Sequence, residues 1–112
     1  MAERRQERRK FRRFALSCPM SVHGADGHLL AHGKTLNLSD GGAYMVVTID
    51  ALLRMGKTAR LDFSVPRTTA NTHLWEKFTC NAQILRHEPL VDDSHAGIAI
   101  RFEQPQELGL EV

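Results

Sequence analysis

The residues best suited to binding chemistry are arginines near the start of the chain. The first 14 residues carry seven arginine and lysine side chains against two glutamates, a net charge of +5, whereas the other 98 carry eight basic and eleven acidic side chains, a net charge of −3. The planar guanidinium group forms paired hydrogen bonds with phosphate oxygens. This basic arm therefore predicts an anionic partner, although a solvated tail that maintains solubility explains the charge alone equally well. An Arg-x-x-x-Arg spacing recurs in the arm, and directly before the first predicted strand both Arg8/Arg12 and Arg9/Arg13 satisfy it.

A second candidate motif is the Asn-x-Ser-x-x-Gly pattern formed by Asn37, Ser39 and Gly42. One interpretation is a plain turn, in which Asn37 and Ser39 bond to their own backbone and Gly42 adopts a positive φ. The other is a ligand site, because the amide and hydroxyl are short directional groups and glycine allows a close approach. The Asn-x-Ser pair also has the form of a glycosylation acceptor, which a chain without an export signal should not use.

Alternating apolar and polar residues predict the elements that must position these two motifs. The predicted strands cover residues 14–22, 29–37, 43–47, 59–65, 78–85 and 96–102. One or two helical turns are predicted within residues 48–55, a polar loop over 67–77, and about one helical turn before Gly109. Six short strands without a long helical pattern predict an antiparallel barrel or sandwich, and a barrel leaves no exposed strand edges.

The composition is that of a single globular domain. The chain has 112 residues, 42% hydrophobic and 25% charged, which suffices for one core without disulfide or metal links. Its two cysteines, Cys18 and Cys80, show no spacing typical of a disulfide framework or a zinc site. The basic start is followed by no apolar segment of a signal peptide, and no run is long enough to span a membrane. We therefore expect a cytoplasmic location.

Catalytic and metal-binding patterns are missing from the sequence. The six histidines have no paired ligand spacing, and Ser39 lacks the Gly-x-Ser-x-Gly pattern of a nucleophile elbow. Neither cysteine has an identifiable histidine partner. We predict a protein that is not an enzyme and needs no metal or other cofactor.

Taken together, the two motifs in this strand context resemble the PilZ domain, the bacterial receptor module for cyclic di-GMP. The resemblance covers nearly the whole chain and includes residues 52–65, which lead into the fourth strand, and the closing residues 96–102. It implies a six-stranded antiparallel β-barrel of the split-barrel type, with a flexible basic arm that clamps the dinucleotide against the barrel. The sequence departs from the family pattern at its end, where the C-terminal helix carried by many members is expected to be shortened or absent, leaving a short tail or helical turn.

The resemblance also implies which residues bind the ligand. Members usually follow the second arginine directly with the first strand, so Arg9 and Arg13 are the matched pair, with Phe14 after them. Asn37, Ser39 and Gly42 match the second motif. Arg8 adds a cation that helps to neutralise a stacked pair of ligand molecules. The predicted ligand-binding residues are Arg8, Arg9, Arg13, Asn37, Ser39 and Gly42.

We therefore expect a receptor with a basic arm over residues 1–13, a PilZ barrel over 14–104 and a short tail over 105–112. Ligand binding would order the arm and signal to a partner protein that the sequence does not identify. One alternative is a basic-armed barrel that binds nucleic acid, which would need exposed aromatic residues for stacking. The phenylalanines of the predicted strands argue against it because they face inward: Phe14, Phe63, Phe78 and Phe102. Another alternative is a PilZ-like adaptor that acts through protein contacts alone, which usually lacks one of the motifs.

Overall fold

A computed structural model describes residues 11–110 of the chain. These residues form six strands and one short helix. In chain order they are β1 (Pro19–His23), β2 (Leu29–Ser39), β3 (Gly42–Thr48), α1 (Ile49–Arg54), β4 (Thr58–Thr68), β5 (His73–Pro89) and β6 (His95–Phe102).

The strands close into an antiparallel barrel in the order β1-β2-β3-β6-β5-β4, with β4 pairing back to β1. Closure confirms the predicted fold class. It also pairs every strand on both sides, so the sheet has no open end strand. Consecutive strands β2 and β3 are joined by the short turn of the second motif, and β6 lies against β3. The motif turn therefore stands at the rim of the barrel, between β2 and the end of β6.

The barrel interior is filled by the apolar side of the alternating pattern. Phe63 stacks between Phe78 and Phe102, with ring centroids 5.4 Å and 5.5 Å apart. Burying each large apolar side chain stabilises the fold by about 1.5–3 kcal/mol. The buried strand residues include Met20, Val22, Met45, Val47, Leu61, Phe63, Val65, Ile98, Ile100 and Phe102. The inward orientation predicted for Phe63, Phe78 and Phe102 is confirmed by their packing in this core.

Two predicted elements have wrong boundaries: the first strand, predicted to start at residue 14, and the loop predicted over residues 67–77. Residues 14–18 precede β1 and contact β2 through an isolated bridge between Phe14 and Leu38. The predicted loop is instead a hairpin, because β4 continues to Thr68 and β5 starts at His73. Pro66 is accommodated because that part of β4 pairs with β5 alone, so its missing N–H breaks no ladder bond on the other side.

The short helix is confirmed, with Thr48 as its N-cap: the Thr48 hydroxyl accepts a bond of 3.0 Å from the Ala51 N–H. The helical turn predicted before Gly109 is not formed, and residues 105–110 follow an irregular path. Leu108 and Leu110 in this path are buried and complete the core cluster. No helix within residues 11–110 is long and apolar enough to cross a bilayer.

Candidate functional site

Two backbone hydrogen bonds between Phe14 and Leu38 connect the end of the arm to β2. The Phe14 N–H donates to the Leu38 carbonyl and the Leu38 N–H to the Phe14 carbonyl, each at 2.9 Å. Thr35, which is fully buried, donates its hydroxyl to the Leu16 carbonyl at 2.7 Å and accepts from the Cys18 N–H at 2.9 Å. These bonds hold residues 14–18 alongside β2, so the preceding Arg13 lies beside the end of that strand.

Ser39 holds the turn between β2 and β3 with its hydroxyl. The oxygen accepts from the Gly41 and Gly42 N–H groups, each at 3.1 Å, and donates to the Gly42 carbonyl at 3.3 Å. Ser39 is 8% exposed, and its hydroxyl forms all of these bonds within the turn. Ser39 therefore shapes the turn through its bonds to the backbone, as the turn interpretation predicts.

Neighbouring residues leave no space for a side chain at Gly41 or Gly42 in the turn. A side chain at Gly42 would meet the carbonyl oxygen of Ile100 on β6, and one at Gly41 would meet the ring of Phe11. The positive φ expected for Gly42 in the turn interpretation is wrong: in residues 11–110 the glycines with positive φ are Gly27 and Gly109. The absence of a Cβ at Gly42 thus permits close β3–β6 pairing, and Phe11 packs on Gly41.

Two β-bulges turn polar residues toward the outer face next to this turn. In β2 the register shifts between Thr35 and Asn37, so Thr35 stays in the core while Leu36 and Asn37 both leave it. In β5 the register shifts between Ile84 and Arg86 in the same way. Strict alternation would have directed Asn37 and Arg86 inward. The bulges are therefore what bring these two side chains to the surface.

Strand pairing then aligns the outward residues in two rows. Asn37 pairs with Tyr44, Tyr44 with Ala99, and Ala99 with Arg86. The small Ala99 lies in the middle of this row and leaves a depression between its larger neighbours.

The second row begins at the turn itself. Ser39 pairs with Gly42, Gly42 with Arg101, and Arg101 with Gln83. The Arg101 guanidinium reaches along the row to donate a bond of 2.6 Å to the Gln83 amide oxygen. This bond fixes the orientation of the Arg101 guanidinium beside Gln83.

The two rows line a cavity of about 550 Å³. Arg13 borders it on the β2 side, and Arg86 and Arg101 border it on the β5 and β6 side. Among the described residues that line it, Glu103 is the one acid, so the cavity has an excess of positive charge. A cavity of this size with a few convergent polar groups is typical of a site for a small anionic ligand.

Tyr44 forms a further side of this cavity. Its ring crosses Gly97, where any side chain would collide with the phenol, and its hydroxyl donates a bond of 2.6 Å to a Glu88 carboxylate oxygen. The hydrogen bond to Glu88, together with partial burial, raises the pKa of Tyr44 above its ordinary value. The phenol thus stays protonated and Glu88 is engaged by it.

Asp40, in the middle of the turn, holds the C-terminal segment. Its backbone carbonyl accepts from the Gln106 N–H at 2.8 Å, and its carboxylate accepts from the Leu108 N–H at 3.2 Å. Arg67 on β4 donates to the Leu108 carbonyl and, at 3.0 Å, to the Gly109 carbonyl. The tail is therefore fixed between the turn and the β4–β5 hairpin.

The structure brings Arg13, Asn37, Ser39 and Gly42 to one cavity. Arg8 and Arg9 lie outside the described residues. Sequence reasoning missed Tyr44, Arg86 and Arg101. The alternation of β6 predicts that Arg101 faces outward, but its position beside Gly42 depends on strand register, which no local pattern predicts. The exposure of Arg86 depends on a bulge, which no local pattern predicts either.

The other reactive side chains lie apart from this cavity. Cys18, directly before β1, and Cys80, on β5, are free thiols; Cys18 lies in the core and Cys80 packs against it. Burial raises the pKa of both, that of Cys80 to about 11, which makes them poor nucleophiles at neutral pH. Within residues 11–110 no group of three or more histidine, cysteine, aspartate or glutamate side chains is arranged to hold a metal ion.

Comparison with known sequences gives one family. The sequence matches the PilZ domain family over residues 7–111, which is almost the entire chain. No curated protein matches the sequence.

Comparison with solved structures gives the same fold at low sequence identity. The inhibitor of motility MotI/DgrA of Bacillus subtilis superposes with a TM-score of 0.70 at 13% identity, over 88% of this chain and 44% of that one. PlzA of Borreliella burgdorferi in complex with c-di-GMP gives 0.58 at 9% identity, over 94% and 50%. The PilZ domain of YcgR from Escherichia coli with c-di-GMP gives 0.53 at 17% identity, over 87% and 79%. This chain thus spans about half the length of the first two structures.

Proposed function

The chain belongs to the PilZ domain family, and we propose that it is a bacterial, cytoplasmic receptor that binds cyclic di-GMP in the cavity beside the β2–β3 turn. The observation that carries the proposal is the convergence of Arg13, Asn37 and the Ser39–Gly42 turn on one positively charged cavity. The proposal assigns the protein no enzymatic activity. Two of the similar structures, PlzA and YcgR, contain c-di-GMP, which supports the choice of ligand.

The chemistry of the ligand suits the side chains present. Cyclic di-GMP carries two phosphodiester charges and two guanines. Arg9 and Arg13 would bind phosphate oxygens or the O6/N7 edge of guanine with paired hydrogen bonds, as arginine does in other nucleotide complexes. The Asn37 amide has both donors and an acceptor for a guanine edge. Ser39 would act mainly by holding the turn, because its hydroxyl is already bonded to the backbone of the turn.

The proposed signal is ligand-dependent ordering of residues 1–12. Seven cations among residues 4–13 repel one another, and the ligand phosphates supply the counter-charge that offsets the entropy of ordering them. Phe11 packs on Gly41 at the border of the cavity, so ordering of the arm would change the surface at that point. A partner protein would read this change. Amide exchange of the free and bound chain tests it, and an arm equally protected in both states contradicts it.

Calorimetric titration tests the function itself. We expect saturable binding of cyclic di-GMP and much weaker binding of GMP, which has one guanine and a single phosphomonoester in place of two phosphodiesters. A single-stranded DNA oligonucleotide serves as the probe of the nucleic-acid alternative. Equal affinity for DNA, or no binding of cyclic di-GMP, would refute the proposal. The burial of Phe63 and Phe102 already argues against stacking of nucleic-acid bases on these rings.

A further inference from the structure

Two arginines outside both sequence motifs border the same cavity. Arg86 on β5 is separated from Tyr44 by Ala99, and Arg101 on β6 pairs with Gly42 of the turn. Both side chains are exposed, and both line the cavity opposite Arg13. The cavity therefore has cations on two sides, of which the arm supplies one.

The two guanidinium groups differ in how they are held. Arg101 is oriented by its bond of 2.6 Å to the Gln83 amide oxygen, which uses one of its five N–H donors and leaves the others for a ligand. Arg86 makes no hydrogen bond or ion pair with another side chain in residues 11–110. Glu88, the acid two residues from Arg86, is bonded to Tyr44.

Local charge balance supports a role in anion binding. Three other arginines of the described surface form ion pairs with acids: Arg54 with Asp50, Arg60 with Asp62, and Arg67 with Glu76. Arg86 and Arg101 depart from this arrangement and are placed within reach of one cavity floor. Positive side chains that form no ion pair and converge on a concave site attract an anion more strongly than scattered surface charges do.

We propose that Arg86 and Arg101 bind a phosphodiester group of the ligand on the side of the cavity away from the arm, with Gln83 as the residue that positions Arg101. This inference rests on the proposed function. It makes the barrel an active contributor to phosphate binding, so that the ligand bridges the arm and the β5–β6 side. A ligand held in this way would connect Arg13 to residues far from it in sequence.

Calorimetric titration with cyclic di-GMP of the full chain and of Arg86→Gln and Arg101→Gln tests the inference. Each variant should bind at least about tenfold more weakly, because each loses one charge-assisted contact. Arg60→Gln is the matched control: it also removes one exposed arginine, but on β4 away from the cavity. Gln83→Ala should weaken binding less than Arg101→Gln, and it should leave the effect of Arg86→Gln unchanged.

The outcomes separate this inference from the proposed function. If the unmodified chain binds and both Arg86→Gln and Arg101→Gln bind equally well, the inference is wrong and the proposed function stands. If Arg60→Gln weakens binding as much as they do, the effect is one of overall charge and the direct contact is wrong. If the unmodified chain does not bind cyclic di-GMP, both the function and the inference fail.

Discussion

Two parts of the barrel surface have similar strands but different chemistry. The cavity beside the β2–β3 turn has two bulges, a floor of small residues and arginines that form no ion pair within residues 11–110. The surface across β1, β4 and β5, which we call the β1–β4 face and define by Ser21, Arg60, Asp62 and Thr79, pairs in continuous register from β1 to β4 and from β4 to β5.

The polar groups of the β1–β4 face bind one another. The Asp62 carboxylate accepts a bond of 2.8 Å from the Thr79 hydroxyl. Its second oxygen lies 3.8 Å from a guanidinium nitrogen of Arg60 and 3.6 Å from Nδ1 of His23. The charges of the β1–β4 face are thus balanced by neighbouring groups, as is usual for a solvated surface. From this comparison we expect the binding surface of this barrel to lie where bulges expose polar residues and the arginines form no ion pair. The predictions below test that difference.

The largest expected effect is the loss of a motif arginine. Arg13→Ala and Arg9→Ala should each weaken or abolish cyclic di-GMP binding, since each lost charge-assisted contact costs about 1.5–3 kcal/mol. The fold should remain, because both residues precede the core strands. Titration calorimetry measures the affinity, and thermal unfolding checks the fold.

Arg12→Ala is the matched control for these arginines. Arg12 lies 5.1 Å from the centre of the Phe14 ring and does not line the cavity. Normal binding by this variant, with loss in Arg13→Ala, is the expected result. The reverse result would make Arg8 and Arg12 the binding pair and would contradict the assignment of Arg9 and Arg13.

The next effect concerns the turn. Gly42→Ala should lower the free energy of unfolding by about 1–3 kcal/mol, because the new methyl group meets the Ile100 carbonyl of β6 and forces the strands apart. Binding should weaken with it. Gly56→Ala is a suitable control, since a side chain there meets no atom within 4 Å. Equal stability of the two variants in urea unfolding would refute the account of Gly42.

A third effect is on stoichiometry. We expect two cyclic di-GMP molecules per chain, because a stacked pair carries four phosphodiester charges and Arg8 adds a cation beside the matched pair. Arg8→Leu should shift the ratio toward one. The ratio is read from the calorimetric end point with the protein concentration fixed independently. Saturation of the unmodified chain at one ligand would remove the hypothesis.

The smallest effect is expected at Asp40, which connects the turn to the tail. Asp40→Ala removes the acceptor of the Leu108 N–H and should cost about 1 kcal/mol of stability while leaving strand pairing intact. Amide exchange should rise at Leu108 and Leu110 before it rises in β6. Unchanged protection of the tail would show that the burial of Leu108 alone holds it in place.

The inward-facing residues of the barrel could be predicted from the sequence because apolar and polar residues alternate regularly along most strands. The stacking of Phe78 and Phe102 on Phe63 agrees with this alternation, whereas the pairing of β3 with β6 was not predicted. The hairpin around Pro66 was missed because its strands are exposed and carry little apolar signal. The burial of Leu108 and Leu110 was missed because an irregular segment has no periodicity. These residues are placed by tertiary contacts with Arg67 and Asp40.

The candidate site divides in the same way. Arg13, Asn37, Ser39 and Gly42 were predicted from motifs that resemble a family, and the structure places them together. Arg86 was not predicted, because the bulge that turns it outward changes the alternation of β5. Local patterns thus predicted one side of the cavity, while the other side depends on strand register.

Nuclear magnetic resonance of the ¹⁵N-labelled chain during titration with cyclic di-GMP tests the central claim most directly. We predict shifts at the backbone amides of Ser39, Gly41 and Gly42 and at the side-chain N–H groups of the cavity arginines. Signals of Ser21 and Thr79 on the β1–β4 face should stay unchanged. Shifts that centre on the β1–β4 face, or no shifts at a saturating concentration, would contradict the account.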